Sequence, residues 1–400
     1  MKKWDEKIKA YSLKNAIEHD GKAQEGSVIS ALFHEGLKKS EVGGVVGEVK
    51  KEVKRVNSLS LDEQEKEFGK YEKLVGKREG REGLPELPDA KKGKVIMRIA
   101  PSPSGPFHIG HALTSSISFL FVQRYGGIFY VRIEDTNPET IYKPAYEMIK
   151  KESNWLYDRK AKFVMQSDNM KIYYKYAEKL IKLKSSYVCT CTSDEFKTYI
   201  SGKKACPCRN LQVKENLARW KKMLDKKGYK VGEAVLRFKS DMKHKNPAMR
   251  DFPLARINLT PHPLQKNKYK VWPLMNLAVT VDDIEEKMTH IIRAKEHRDN
   301  AERQKMIYKV LGKKYPWTAF LGRWHIKGLR FSTRQMRKDI EERKYSGWDD
   351  PKLPTIAAIM KQGKYKPEAF WKFAEQVGLN ENDKIIDKKE FFRLLDQFNK

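Results

Sequence analysis

The spacing of apolar positions changes twice along the chain, and each change predicts a different kind of element. Residues 1–75 carry apolar positions at helical spacing among many Lys and Glu, which predicts amphipathic helices. The pattern breaks near Gly43 and Gly44 and resumes at Ser58, where Ser60 and the following LDEQ make a capping start. Residues 77–93 (KREGREGLPELPDAKKG) are charged and punctuated by Gly and Pro, the pattern of a linker. Residues 94–100 (KVIMRIA) then predict a short buried strand that stops in PSPSGP at 101–106, with a helix beginning near His108. A second strand is predicted at 128–135 (IFYVRIED), ending in a polar turn, TNP, at 136–138. Strand, turn, helix and strand in this order open a parallel α/β sheet, whose ligand lies at the carboxyl ends of the strands. The rhythm fails across 185–270, a Lys-rich stretch holding Pro247, Pro253, Pro261 and Pro263, which reads as an insertion. It returns at 272–293, and helical patterns dominate from Asp299 to the end.

Length and composition narrow the picture. At 400 residues the chain is long enough for roughly two to four compact units. Lys and Arg number 82 against 52 Asp and Glu, a formal net charge of +30. Such a field attracts polyanions, so nucleic acid is the first partner to consider, with a merely Lys-rich solvated surface as the plain alternative. A hydrophobic content of 40% and an aromatic content of 11% exclude global disorder. No apolar run approaches the roughly 18 residues that span a bilayer, and the first twenty residues lack a secretory core, so a cytoplasmic protein without a membrane partner is expected. The four cysteines crowd into one segment, too local for a disulfide framework. Cys189 and Cys191 pair with Cys206 and Cys208 at a separation that suits a closed tetrahedral zinc site. Reduced structural cysteines, or a site that has lost its metal, remain open.

The sharpest chemical signal is residues 98–111 (RIAPSPSGPFHIGH), in which His108 and His111 flank Ile-Gly just after a strand and turn. A helix N-terminus favours phosphate through its backbone N–H groups and dipole, and two imidazoles can add donors. A lone His-x-x-His is more often a surface or metal pair; the preceding strand and turn favour phosphate. Arg132, Glu134 and Asp135 form either a ligand site or an ordinary ion pair, and Asp282 with Asp283 either belongs to a site or caps a helix.

These residues resemble a known family. The 108–111 run resembles the HIGH signature of class I aminoacyl-tRNA synthetases, and its flanks look like the glutamate and glutamine subgroup. Residues 133–138 (IEDTNP), 271–283 (VWPLMNLAVTVDD) and 289–297 (THIIRAKEH) are similar to further motifs of that subgroup. Residues 328–335 (GLRFSTRQ) look like a degenerate KMSKS loop, with 345–355 (YSGWDDPKLPT) following at the family's usual distance. Residues 13–24 and 56–64 resemble the N-terminal extension of archaeal glutamate-tRNA ligases, so the resemblance spans nearly the whole chain.

The resemblance implies a Rossmann-like parallel-sheet catalytic domain in two halves, 94–184 and 271–320. An insertion at 185–270 would carry a zinc knob of four cysteines and meet the acceptor stem. A helical extension would fill 1–76, and 321–400 would form the KMSKS-like loop and a helical stem-contact region. It also implies glutamate ligation to tRNA through glutamyl-adenylate, with ATP and Mg²⁺. On that reading His108 and His111 are catalytic, and ATP lies against Ser102, Gly105, Gly110, Phe331, Ser332, Thr333 and Arg334. Glutamate meets Arg98, Ser102, Glu134, Met275 and Arg293; Glu134 takes the ammonium, and Arg293 separates glutamate from glutamine by charge. Two positions depart from the pattern. Met275 stands where a tyrosine is common, and Gln335 where a lysine stabilises pyrophosphate, a loss worth roughly 3 kcal/mol unless Arg334 or Lys338 takes over. The implied partners are tRNA(Glu), tRNA(Gln) with a downstream amidotransferase, and a separate chain bearing the anticodon-reading barrels into which those ligases continue. The alternatives are a shortened paralogue that glutamylates a modified tRNA nucleotide, a glutamine-tRNA ligase, and an inactive tRNA-binding homologue.

Overall fold

In the computed structural model, which describes residues 2–76 and 83–400, the chain divides into the units Met1–Arg81 and Glu82–Lys400. The first unit is a small helical bundle of α1 (Lys2–Ile17), α2 (Glu25–His34), α3 (Val42–Val56) and α4 (Leu61–Phe68). Val45, Val49, Val53 and Val56 step along one face of α3 and share a core with Trp4, Ile8, Leu13 and Leu32. The break expected at Gly43 and Gly44 is absent: α3 runs through both glycines, and the interruption falls at 35–41. Glycine weakens a helix, but here both lie in the first turn, and the packed valine face carries the rest. α4 starts where expected, with Glu63 N–H donating to Ser60 Oγ at 3.4 Å and Ser60 N–H to Glu63 Oε2 at 2.8 Å. Buried Gln64 donates to the carbonyls of Gly21, Val56 and Leu59, closing the bundle's loops.

Of the expected linker, residues 77–82 lie outside the described residues, and 83–93 are not a free spacer. Leu84 and Leu87 are buried in the main core. Arg124 donates to Leu84 O at 2.8 Å, and the His290 ring meets Pro88 O at 2.9 Å. The two leucines make this stretch a strap on the second unit.

The second unit opens with β1 (Ile96–Ile99), α5 (Ile109–Tyr125), β2 (Ile128–Ile133), α6 (Ala145–Leu156) and β3 (Ala161–Met165), the three strands pairing in parallel in the order β1-β2-β3. After α7 (Met170–Lys182) the insertion follows: β4 (Ser186–Cys189), α8 (Ser193–Ser201), α9 (Val213–Leu224), β5 (Val235–Phe238), β6 (Pro253–Ile257) and β7 (Val271–Pro273). Its strands form a four-stranded antiparallel sheet that runs through Pro273. α10 (Met275–Glu285) leads back to β8 (His290–Ala294), α11 (Arg298–Val310) and β9 (Trp317–Leu321), with β8 and β9 parallel. Thr289 N–H donates to Ile96 O at 3.1 Å, and Thr289 Oγ1 accepts from Ile96 N–H at 2.9 Å. β8 therefore flanks β1 on the edge opposite β2. Arg98 on β1, Glu134 just after β2 and Arg293 on β8 all sit toward the carboxyl ends of their strands, around the point where chain order in the sheet reverses. This is a Rossmann-like α/β fold.

The remainder is not purely helical. β10 (Trp324–Lys327) pairs in parallel with β11 (Lys384–Asp387), around α12 (Thr333–Glu341), α13 (Ile356–Gln362) and α14 (Pro367–Val377), before α15 (Lys388–Phe398) ends the chain. Each of these two strands is four residues long and half exposed, too short for a period-2 signal. No helix among the described residues is long and apolar enough to cross a membrane.

Two adjacent glycines join α5 to β2 for different reasons. Gly126 closes α5 in the left-handed region at φ 68°, with open space where a Cβ would stand. A Cβ on Gly127 would lie 1.8 Å from Val95 O, inside the β1–β2 pairing. Gly126→Ala is therefore expected to cost about 1 kcal/mol and Gly127→Ala about 3 kcal/mol or more. Urea unfolding of the two variants checks the order.

Candidate active site

His108 is the N-cap of α5, and the two histidines cap that helix reciprocally. His111 N–H donates to His108 Nδ1 and His108 N–H to His111 Nδ1, each at 3.3 Å. The rings stack with centroids 3.7 Å apart. Because both Nδ1 atoms accept, each neutral ring carries its proton on Nε2 and offers it as a donor. Burial pushes the His111 imidazole down to about 4, and burial with the adjoining His111 lowers His108 well below its usual range. Both rings are thus neutral donors near pH 7. Gly110 makes the fold-back possible, since a Cβ there would sit 3.1 Å from the His108 ring.

The turn before His108 is pinned on three sides. Glu152, buried on α6, accepts from Phe107 N–H at 2.6 Å. Ile109 N–H donates to Pro354 O and Ile356 N–H to Phe107 O, both at 2.9 Å, so the 354–356 stretch runs beside the motif. The loop before α12 covers the third side: the Phe331 ring lies 5.0 Å from the His108 ring, and Ser104 Oγ meets Thr333 Oγ1 at 3.2 Å. Gly105 sits between Trp348 and Thr333, where a Cβ would approach within 3.1 and 3.2 Å. Ser332 caps α12, and Arg334 and Lys338 line a cleft of about 500 Å³ on that helix. Gln335 Nε2 donates to Asp339 Oδ1 at 3.0 Å along its own helix.

At the strand ends a buried charge cluster lies beside this turn. Arg98 makes a two-pronged bond to Asp283, Nε to Oδ1 at 2.7 Å and Nη2 to Oδ2 at 3.0 Å. Fully buried Arg132 reaches Asp283 at 2.8 Å, Glu286 at 2.9 Å, Asp282 at 3.7 Å and Glu134 at 3.8 Å. Burial alone would raise the Asp283 carboxyl, but the guanidinia of Arg98 and Arg132 overcome it and hold it at about 2. Burial pushes Glu286 up to about 7 against the pull of Arg132. Burial also raises Glu134, opposed by Arg132, Arg98 and Arg293. Arg293 donates to Gln304 Oε1 at 2.8 Å, and burial followed by the nearby Arg98 disfavours its charge. Asp282 and Asp283 do not cap a helix start. They lie near the C-terminal end of α10, where the dipole opposes them, and they are kept by their buried partners.

A family model described as tRNA synthetases class I (E and Q), catalytic domain, matches residues 94–396. The chain belongs to this family. The chain is 44% identical over 387 residues to the glutamate-tRNA ligase of Pyrococcus furiosus, covering 94% of this chain and 67% of that protein. It is 41% identical over 380 residues to the glutamate-tRNA ligase of Methanocaldococcus jannaschii, covering 95% and 68%. A solved glutamate tRNA ligase from Elizabethkingia meningosepticum, in complex with its amino acid, is 23% identical at a TM-score of 0.49, covering 69% of this chain and 59% of that one. The chain thus spans about two thirds of the length of the curated relatives it matches.

In this class I synthetase most of the residues picked from the sequence fall in three places, with Ser102 and Met275 outside them. His108, Gly110, His111, Gly105, Phe331, Ser332 and Thr333 meet at the start of α5, with Arg334 and Lys338 beyond them on α12. Arg98, Glu134 and Arg293 belong to the charge cluster. Ser102 is exposed in the turn before Ser104, and Met275, 36% exposed, opens α10 with no polar group to offer. The third place is the cysteine cluster, whose four sulfurs lie within 4.8 Å of one another and could hold a metal ion. The separations of 3.9 Å for Cys189–Cys206 and 4.0 Å for Cys191–Cys208 are close to the ~3.8 Å between thiolates of a tetrahedral zinc site with Zn–S of about 2.3 Å. Thr190 N–H and Arg219 N–H point at Cys208 Sγ from 3.4 and 3.5 Å, which favours a thiolate.

Sequence reasoning missed Glu152 and Gln304. Neither carries a local motif, and each acts on a residue far along the chain or on another element. Burial raises the Glu152 carboxyl to about 8, against the N–H groups of Phe107 and Ala357. A buried acid of this kind binds its proton more tightly folded than unfolded. The contribution of Glu152 to stability should therefore fall as pH rises from about 4.5 to about 8, by up to ~1.4 kcal/mol per unit, while the depressed His108 and His111 act in the opposite direction below about 6.5. Glu152→Gln is expected to remove this slope; matching unfolding curves of the two proteins across that range would contradict it.

Proposed function

We propose that this chain joins L-glutamate to tRNA(Glu) at the expense of ATP. A glutamate α-carboxylate oxygen attacks the ATP α-phosphorus and pyrophosphate leaves, giving glutamyl-adenylate. A hydroxyl of the terminal ribose then attacks the acyl carbon and AMP leaves. Neither step needs a covalent protein nucleophile, so the residues act by positioning and by charge. The Nε2–H groups of His108 and His111 and the N-terminus of α5 face the phosphates, aided by Phe331, Ser332, Thr333, Arg334 and Lys338. Glu134 takes the substrate ammonium, which offsets the burial that raises its carboxyl. Arg98 and Ser102 orient the amino acid, with Met275 at the rim.

The observation that carries this reading is Arg293. It is a guanidinium with no ion pair among the described residues, set at a strand end beside Glu134 and Arg98. An acidic substrate side chain completes it, whereas a neutral amide leaves its charge uncompensated. Magnesium accompanying the nucleotide would neutralise phosphate charge. Zinc on Cys189, Cys191, Cys206 and Cys208 would be structural, fixing the insertion as a surface for the acceptor stem. tRNA(Gln) is a second acceptor under the same reading, an amidotransferase finishing that product, and the cytoplasm is where these substrates meet.

Charging of total tRNA from the source organism, with tRNA present throughout, tests the proposal. Glutamate transfer without glutamine transfer is the expected result. Arg293→Ala should lower kcat/KM for glutamate by about a hundredfold or more (roughly 3 kcal/mol). No glutamate transfer by the intact protein, even with an extract of the source cells supplying a separate anticodon-binding chain, would overturn the reading in favour of an inactive tRNA-binding homologue. Elemental analysis should find one zinc per chain, lost when Cys206 and Cys208 are both changed to Ser.

A further inference from the structure

The acidic groups of the charge cluster are unevenly shared. Arg98 takes both oxygens of Asp283, and Arg132 gathers Asp282, Asp283, Glu286 and Glu134. Arg293, in the same cluster, pairs with none of them. Its side-chain partner is the neutral amide of Gln304, a fully buried residue of α11, whose Oε1 accepts from Nη1 at 2.8 Å. The amide orientation follows from the donor: facing a guanidinium, the oxygen must point inward. Arg293 Nε and Gln304 Nε2 are both buried with no protein partner, as are the hydroxyls of Tyr308 and Tyr315, whose rings meet edge to face at 5.0 Å. The cluster thus spends its carboxylates on two arginines and leaves polar donors around the third.

We propose that Gln304 is a positioning residue that sets specificity for an acidic amino acid. Its carbonyl fixes the plane of the Arg293 guanidinium through one N–H while supplying no charge, so the neutralising partner of Arg293 is the substrate. A carboxylate at 304 would pair with Arg293 permanently and erase the difference between an acidic and an amide substrate. A side chain without an acceptor would let the guanidinium turn but leave its charge to choose. The inference rests on the reading of Arg293 as the residue that meets the glutamate side chain.

The test is tRNA charging by the intact protein, Gln304→Glu and Gln304→Met, each with glutamate and with glutamine, alongside thermal melting. For Gln304→Glu the KM for glutamate should rise about tenfold or more, with the KM for ATP little changed, and the preference for glutamate over glutamine should shrink by a similar factor. Gln304→Met keeps bulk and neutrality, so it should raise the KM for glutamate severalfold and keep the preference. A general structural role would instead lower kcat and the melting temperature for every substrate alike. An unchanged preference in a folded Gln304→Glu protein overturns the inference. If that variant does not fold, an unchanged glutamate KM in Gln304→Met overturns it. An unmodified protein that charges no glutamate overturns the parent reading, and this inference with it, which is a different result from either.

Discussion

The paired guanidinium and carboxylate of Arg98 and Asp283, shared with Arg132, bind strand β1 to helix α10 across 185 residues of chain. Burying these charges is tolerable only because they are matched and hydrogen-bonded; removing one partner would leave a charge stranded away from water. The pair therefore demands that the two halves of the parallel sheet close on each other with the whole insertion looped out between them. It also keeps Asp283 ionised at a depth where burial alone would protonate it. Glu134 and Arg293 take their electrostatic setting from the same cluster.

A second constraint holds the start of α5. The turn before His108 bonds through its backbone to Glu152 on α6 and to the 354–356 stretch, and Phe331 and Thr333 press on it from the loop before α12. Three segments far apart in sequence thereby place two Nε2–H donors and a helix N-terminus at one point. Precise placement of donors where charge develops is the main lever for a reaction with no covalent nucleophile. Gln335 sits outside that arrangement, bonded along its own helix to Asp339, and the cleft on that helix is lined by Arg334, Arg337 and Lys338.

What was legible in the sequence was local. The 98–111 run, the strand that leads into Glu134 and the paired cysteines announce themselves because their residues are contiguous and their spacing is chemical. Contacts that close over long separations left no such trace: Gln304 reads as one more polar position on an amphipathic helix, and Glu152 as one more acid among lysines. For Asp282 and Asp283 the sequence left a site and a helix cap both open, because it does not reveal that two arginines from the strands will reach them. Gly43 and Gly44 suggested a helix break, but the valine face of α3 outweighs them. β10 and β11 escaped notice because four half-exposed residues are too few to show an alternating pattern.

The charge cluster at the strand ends and the capped start of α5 are proposed as one site for an acyl-adenylate. A crystal structure with a non-hydrolysable glutamyl-adenylate analogue tests it most directly. The ammonium is expected on Glu134, the side-chain carboxylate on Arg293 and the phosphate mimic at the His108–His111 turn. An acyl group bound away from Arg293, or a phosphate mimic away from that turn, would contradict it.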